Sequence, residues 1–246
     1  MTSRNPLKAW QAFFALPNSS PVKAIGMVLL VAFSCSLLVS LTAITLKPIQ
    51  DANRLRESNA SLMAVVELLG GGIPTERHVE LSTGHYTEDR TDATNPLTSD
   101  QDLAGLGEIE IIAVTYELLR KGQVERIILP VRGRGYQSQL HGYLALESDL
   151  NTVASLIFHK QAETPGIGTR ILEPEWQAVW VGKKIADEEG HIRIAVTREP
   201  ASTVYEVDGI SGATMTSNGV SNLVRFWMGP DGYGPYLDRL KREQER

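Results

Sequence analysis

Ile109-Glu110-Ile111-Ile112-Ala113-Val114-Thr115-Tyr116-Glu117-Leu118 is the stretch that decides the fold class. It is rich in β-branched residues, which suit an extended and half-buried backbone. Lys121-Gly122-Gln123 reads as a turn, and Val124–Val131 returns as a second run of similar composition. Two such runs joined by a short glycine-containing segment predict an antiparallel hairpin. Downstream, Gly142–Leu146, Thr152–Phe158, His191–Val196 and Thr203–Val207 are further strand candidates. Strands and helices do not alternate regularly, so a doubly wound parallel sheet is not expected. The expected class is α+β, built on an antiparallel sheet.

Toward the N-terminus the composition changes in steps. Residues 75–106 are polar, with Asp, Thr, Ser and Asn interspersed, and read as a surface loop with room for a short helix. Gly70-Gly71-Gly72-Ile73-Pro74 is a break. Before it, Leu55, Leu62, Val65, Val66 and Leu69 keep a helical period, which predicts a stalk helix over 47–72. Pro48 need not end that helix. Residues 24–46 carry no charge and lie between Lys23 and Lys47. As a helix they would measure roughly 34 Å, enough for a hydrocarbon core of about 30 Å. A signal peptide has an apolar run of about 7–15 residues and a small-x-small cleavage site. This run is longer, and Leu41-Thr42-Ala43 offers no such site. A retained transmembrane anchor is expected, followed by a water-exposed domain over 73–246.

Charge does not orient that anchor. Arg4, Lys8 and Lys23 precede it, and Lys47, Arg54 and Arg56 follow it. Within the tail of residues 1–23, Leu7–Leu16 holds Trp10, Phe13, Phe14 and Lys8; an interfacial helix and an unordered tail both fit. The net charge of −5 supplies no basic stripe, which argues against nucleic acid as a partner. The one cysteine, Cys35, sits mid-span and reads as a small buried apolar residue, with a metal ligand shared with another subunit as the alternative. A disulfide framework or a Cys-rich metal site built by this chain alone is excluded. His78, His85, His141, His159 and His191 show no ligand-like spacing, so no protein-only metal site is expected.

The most informative chemistry lies in Asp208-Gly209-Ile210-Ser211-Gly212-Ala213-Thr214-Met215-Thr216-Ser217-Asn218-Gly219-Val220. Val220, Leu223, Val224 and Trp227 follow at helical spacing. A Gly/Ser/Thr turn running into a helix presents free N–H groups and the positive end of the helix dipole, which suits a phosphate. Small residues at 211–213 permit close approach. Spacing alone leaves two alternatives open, an anion-binding turn and an ordinary helix cap.

Asp208-Gly-Ile-Ser-Gly-Ala-Thr214 resembles the flavinylation sequence of FMN-binding domains. Further blocks are similar, in order, to the C subunit of the Na⁺-translocating NADH:quinone reductases: Pro130–Gly135, Gly142–Leu146, Asp149–Val153, Glu163–Gly168, Pro174–Trp176, Trp180–Lys184, Phe226-Trp227 and Gly232–Leu237. The resemblance implies one FMN, held covalently by phosphoester to Thr214, with Ser211, Gly212 and Ala213 around the phosphate. It implies that Glu163, Thr164, Gly166, Ile167 and Gly168 pack on the flavin ring. The family has a Leu-Trp pair where this chain has Tyr136-Gln137; Tyr136 is the aromatic left to contact the ring.

No base stands beside Thr214 in sequence, so no catalytic residue is assigned, and attachment is expected to need a separate flavin transferase. The resemblance further implies other membrane subunits as partners, an inner-membrane location and a flavin domain on the periplasmic side. The chain lacks a dinucleotide-binding glycine signature with its acidic partner, which leaves NADH oxidation to a partner subunit. Two competing readings are the G subunit of an Rnf-type ferredoxin:NAD⁺ oxidoreductase, which shares the Ser-Gly-Ala-Thr turn, and a non-redox membrane-anchored assembly or binding protein.

Overall fold

A computed structural model describes residues 10, 13–120 and 123–245, in two units, 1–56 and 57–246. Helix α1 spans Pro21–Leu68 and includes Pro48. In the first unit α1 is long and apolar enough to cross a membrane, and none of its most apolar window is buried. Cys35 is exposed there. Lys23 Nζ donates to the Phe14 and Leu16 carbonyls and to Asn18 Oδ1. The Trp10 and Phe14 rings stack at 5.8 Å. Residues 1–9 and 11–12, on which much of the interfacial segment falls, lie outside the described residues.

In the second unit α1 stops at the glycine run. The Gly70 N–H donates to the Glu67 carbonyl at 3.0 Å and the Gly71 N–H to the Val66 carbonyl at 2.9 Å. These are the two bonds of a Schellman stop, and they require the positive φ of Gly70, +96°.

Among the described residues nine strands follow: β1 Pro74–Glu80, β2 Thr94–Pro96, β3 Glu108–Glu110, β4 Ile112–Arg120, β5 Gln123–Arg134, β6 Gln139–Leu146, β7 Val153–Lys160, β8 Ala195–Thr197 and β9 Glu206–Asp208. The main sheet runs β1-β4-β5-β6-β7, antiparallel throughout. The expected hairpin is β4–β5, paired down to Arg120 and Gln123. Its turn residues, Lys121 and Gly122, lie outside the described residues. Three details differ from expectation. The run from Ile109 breaks at Ile111 into β3, which pairs with β2, and β4. β1 falls largely inside the segment read as loop. It is an edge strand, which needs a ladder on one side only and tolerates charges such as Glu76 and Arg77. Last, β8 and β9 are shorter than their candidate runs and pair in parallel.

The sheet buries both faces, as its period-two pattern requires. Ile127, Leu129 and Val131 enter the principal core, with helix α3 (Thr214–Trp227) and helix α4 (Gly234–Gln244). Ile128, Tyr143, Ala145 and Ala154 face the other way and pack against Leu62, Val65 and Val66 of α1. There the Tyr143 hydroxyl meets Ser58 Oγ at 2.7 Å.

His159 stacks on Tyr143 at 5.1 Å, and His141 lies 6.3 Å from His159. His141 Nε2 is buried without a hydrogen-bond partner. Burial, then the charges of Lys160, His159 and Arg132, lower its pKa to about 4. The unfolded chain, with a histidine pKa near 6.5, therefore binds protons that the folded domain does not. Stability from this group is present above about pH 6.5 and falls as pH drops toward 4. The partial exposure of the ring reduces the effect. Unfolding free energy from urea titrations should drop by about 1–2 kcal/mol between pH 7 and pH 5. In His141→Gln the drop should shrink clearly; an unchanged drop would assign it elsewhere.

Candidate functional site at the start of helix α3

Helix α3 lies against β5 because glycines allow it. A Cβ on Gly219 would stand 2.5 Å from the Arg134 carbonyl oxygen, and one on Gly133 would stand 2.9 Å from Leu223 Cβ. The Trp227 indole N–H donates to the Arg132 carbonyl at 2.6 Å. Val220, Leu223, Val224 and Trp227, the stripe expected from sequence, are buried. This packing sets the start of α3 beside the point where β5 leaves the sheet at residues 135–138.

The preceding turn is pinned from several sides. The Gly209 N–H donates to the Thr197 carbonyl at 2.8 Å, and the Ile210 N–H donates to Ser217 Oγ at 3.1 Å. Trp176, from the short helix α2 (Pro174–Ala178), donates its indole N–H to the Asp208 carbonyl at 2.9 Å. The Asp208 carboxylate accepts the Ala201 N–H and so closes the loop between β8 and β9.

The helix start itself is uncapped. Ala213 is the N-cap residue, and it offers no side-chain cap to the first-turn N–H groups. Thr214 is the first helical residue and is half-buried, while Ser211 and Gly212 are exposed. Gly212 holds φ at +81°, and a Cβ there would meet only Ile167 Cγ2, at 3.8 Å. Helix starts normally satisfy their free N–H groups with a side-chain oxygen. Here Ala213 supplies none. A cleft of about 260 Å³ adjoins it, lined among others by Thr197, Arg198, Thr214 and Asn218. Arg198 is the sole charged residue of that lining.

Glu163 ties the neighbouring loops together. Its buried carboxylate accepts the backbone N–H groups of Tyr136 (3.0 Å), Gln137 (3.1 Å) and Ser138 (3.0 Å). It also accepts the hydroxyls of Ser138 (2.9 Å) and Thr216 (2.7 Å). Burial pushes the carboxyl pKa up, but the Thr216 and Ser138 bonds outweigh it and hold it below the usual range. Gln137 Nε2 donates to Thr164 Oγ1 at 3.1 Å, and the Gly166 N–H donates to Thr169 Oγ1 at 2.9 Å. The segments 136–138, 163–168 and 211–216 thus converge. Tyr136 (55% exposed), Ile167 (43%) and Met215 (60%) leave apolar side chains in solvent there.

Met215, Gln137 and Ser138 were not among the residues picked from sequence, and the bond between Thr216 and Glu163 was not foreseen. Thr216 repeats the Thr214 hydroxyl two positions on, which was the available signal. Among the described residues, Asp187, Glu189 and His191 bring possible ligand atoms within 4.8 Å of one another. They lie on a solvent-facing turn where Asp187 is 3.7 Å from Arg193. The α3 site fits a ligand with an anionic group and a flat apolar part: N–H donors without a side-chain cap, a positive-φ glycine with no side-chain bulk of its own, and exposed apolar side chains nearby.

A family model described as FMN-binding domain matches residues 135–229, a range that contains every segment of this site except the end of β5 against which α3 packs. The C subunit of the Na(+)-translocating NADH-quinone reductase of Pseudomonas aeruginosa is 33% identical over 92% of this chain and 98% of its own length. The same subunit of Yersinia pestis is 34% identical over 91% of this chain and 94% of its own. Among solved structures, NqrC of Shewanella oneidensis matches with a TM-score of 0.67 at 23% identity, over 76% of this chain and 98% of that one, a likeness of fold. The corresponding reductase subunit from Parabacteroides distasonis matches with a TM-score of 0.52 at 29% identity, over 66% and 77%.

Proposed function

The chain belongs to the family of Na(+)-translocating NADH-quinone reductase C subunits, and from that premise we propose that it is the FMN-carrying electron-transfer subunit of such a complex, with the flavin joined through its phosphate to Thr214. The observation that carries the proposal is the uncapped start of α3, where Thr214 stands half-buried beside an open cleft. Bound there, FMN supplies a carrier of one or two electrons. The residues of the chain do the holding. Thr214 provides the ester oxygen, and the first-turn N–H groups and the helix dipole face the phosphate charge. Ser211, Gly212 and Ala213 keep side-chain bulk away from that phosphate. Tyr136, Ile167 and Met215 offer apolar surface to the ring, with Thr164, Gly166 and Gly168 shaping the loop beneath it. Glu163 serves this site by holding the loops, since five protein donors already occupy its carboxylate.

Membership in this family favours the quinone reductase over the Rnf-type alternative. The charge-free helix over 24–46 anchors the chain in the inner membrane, and the flavin domain lies on the periplasmic side. Other membrane subunits supply the NADH and quinone chemistry, and a separate flavin transferase attaches the cofactor. The full-length protein, expressed with such a transferase, should fluoresce under ultraviolet light in a denaturing gel. Mass spectrometry should find FMN less one water on the Thr214 peptide. A dark band and a bare peptide would leave the third reading, a non-redox anchored protein, in place.

A further inference from the structure

Two threonines stand two residues apart at the start of α3, and their hydroxyls have different surroundings. Thr214 is half-buried and lines the cleft. Thr216 is 2% exposed and donates its hydroxyl proton to Glu163 Oε2 at 2.7 Å. Thr216 Oγ1 also lies 2.9 Å from where a Cβ on Gly168 would stand, so the 163–168 loop roofs it. We propose that Glu163 is the residue that decides which threonine receives the flavin: it withdraws Thr216 and leaves Thr214 as the acceptor. This inference rests on the covalent FMN reading above.

Attachment from flavin adenine dinucleotide forms a bond between a threonine Oγ1 and the flavin-side phosphorus. The bond from that phosphorus to the oxygen shared with AMP breaks, and AMP leaves. The hydroxyl proton passes to a base on the transferase, and no electrons change hands. An acceptor hydroxyl must therefore present a lone pair to phosphorus along an open line of approach. Thr216 does not, because its oxygen is buried under the 163–168 loop and the bond to Glu163 holds it there, away from the cleft. The anionic carboxylate also opposes the approach of a diphosphate. Glu163 cannot swing aside to admit one, since the N–H groups of Tyr136, Gln137 and Ser138 hold it from the opposite loop. Thr214 has none of these restraints.

The test maps the modified peptide after full-length protein is incubated with flavin transferase and flavin adenine dinucleotide. Wild type should be modified on Thr214, and Thr214→Ala should be bare. Thr214→Ala/Glu163→Gln keeps an acceptor oxygen for Gln137 and Ser138 but removes the charge and the oxygen that holds the Thr216 hydroxyl. Its Thr216 modification should exceed that of Thr214→Ala by roughly tenfold or more, as expected for loss of a hydrogen bond to a charged group. Thr214→Ala/Gly168→Ala carries the same expectation should the Gln variant fail to fold, because the added methyl would wedge between Glu163 and Thr216. A modified wild type with a bare Thr216 in the folded double variant overturns this inference alone; register from the Asp208 turn would then choose the acceptor. An unmodified wild type overturns the FMN reading and this inference with it.

Discussion

Thr214→Ala protein, expressed with a flavin transferase, is expected to carry no covalent flavin and to keep its fold. The hydroxyl is the one group of residue 214 that the proposed ester needs, and alanine deletes it. Little else is lost. The side chain is half-buried at the first helical position, and it caps nothing. Alanine is the strongest helix former, so stability should stay within about 0.5 kcal/mol of wild type. That corresponds to a melting shift of no more than about 2 °C for a domain of this size. Thr214→Ser keeps the oxygen and should still be modified. Intact mass, in-gel fluorescence and a thermal melt on the same samples separate the outcomes. Covalent flavin retained by Thr214→Ala would place the ester on another hydroxyl. Loss of flavin with a collapsed melt would mean that Thr214 matters for packing instead. The contrast between Ala and Ser matters because Thr214 is read as a tether: what it requires is an oxygen at one place, and the redox chemistry belongs to the group it holds.

Local pattern made part of this molecule readable before any coordinates. The β4–β5 hairpin followed from two β-branched runs about a glycine turn, and α3 followed from Val220, Leu223, Val224 and Trp227. The stop of α1 followed from three glycines, of which Gly70 and Gly71 make the terminal bonds. These features depend on neighbours within a turn or a strand length. What stayed hidden depends on partners far along the chain. β1 carries Glu76, Arg77 and His78, a polar string that reads as loop until β4, about forty residues on, supplies its ladder. The bend at Ile111 is set by pairing with separate strands on either side of it. At the site, Thr214 and the 163–168 loop were found through resemblance. The local turn alone left a cap and an anion site both open, with the cap the more ordinary reading, and it was the absence of a capping side chain in three dimensions that favoured the second. The donors to Glu163 lie 25 to 53 residues away in sequence, so nothing near residue 163 announces that its carboxylate is fully occupied.

Glu117→Ala is expected to be the most destabilising single substitution in the sheet outside the flavin site. β4 alternates, so Ala113, Thr115 and Glu117 share the principal core face, where Glu117 is 2% exposed. A carboxylate survives there because it is surrounded by donors. The Tyr86 hydroxyl donates at 2.5 Å, the Tyr236 hydroxyl at 3.0 Å, and Arg77 Nε at 3.1 Å. Arg239 adds to the cluster, with its guanidinium 4.1 Å from the Tyr86 ring centre. The alanine variant would leave a cavity, strand the buried Tyr236 hydroxyl and remove the partner of Arg77. Breaking one side of a buried, charged network costs about 3–5 kcal/mol. The melting temperature of the full-length protein should fall by roughly 10 °C. Glu117→Gln keeps one acceptor for the tyrosines and gives up only the pairing with half-exposed Arg77, so its loss should be about 1–2 kcal/mol. A loss below about 1 kcal/mol for the alanine variant would mean that water readily replaces the carboxylate, and the cluster would then not hold α4 to the sheet. The ordering of the two variants carries the same information independently of the absolute values. If Gln cost as much as Ala, charge on Glu117 would dominate; if it cost almost nothing, the tyrosine hydroxyls would need only an oxygen to meet them, as Thr214 needs only an oxygen to hold its phosphate.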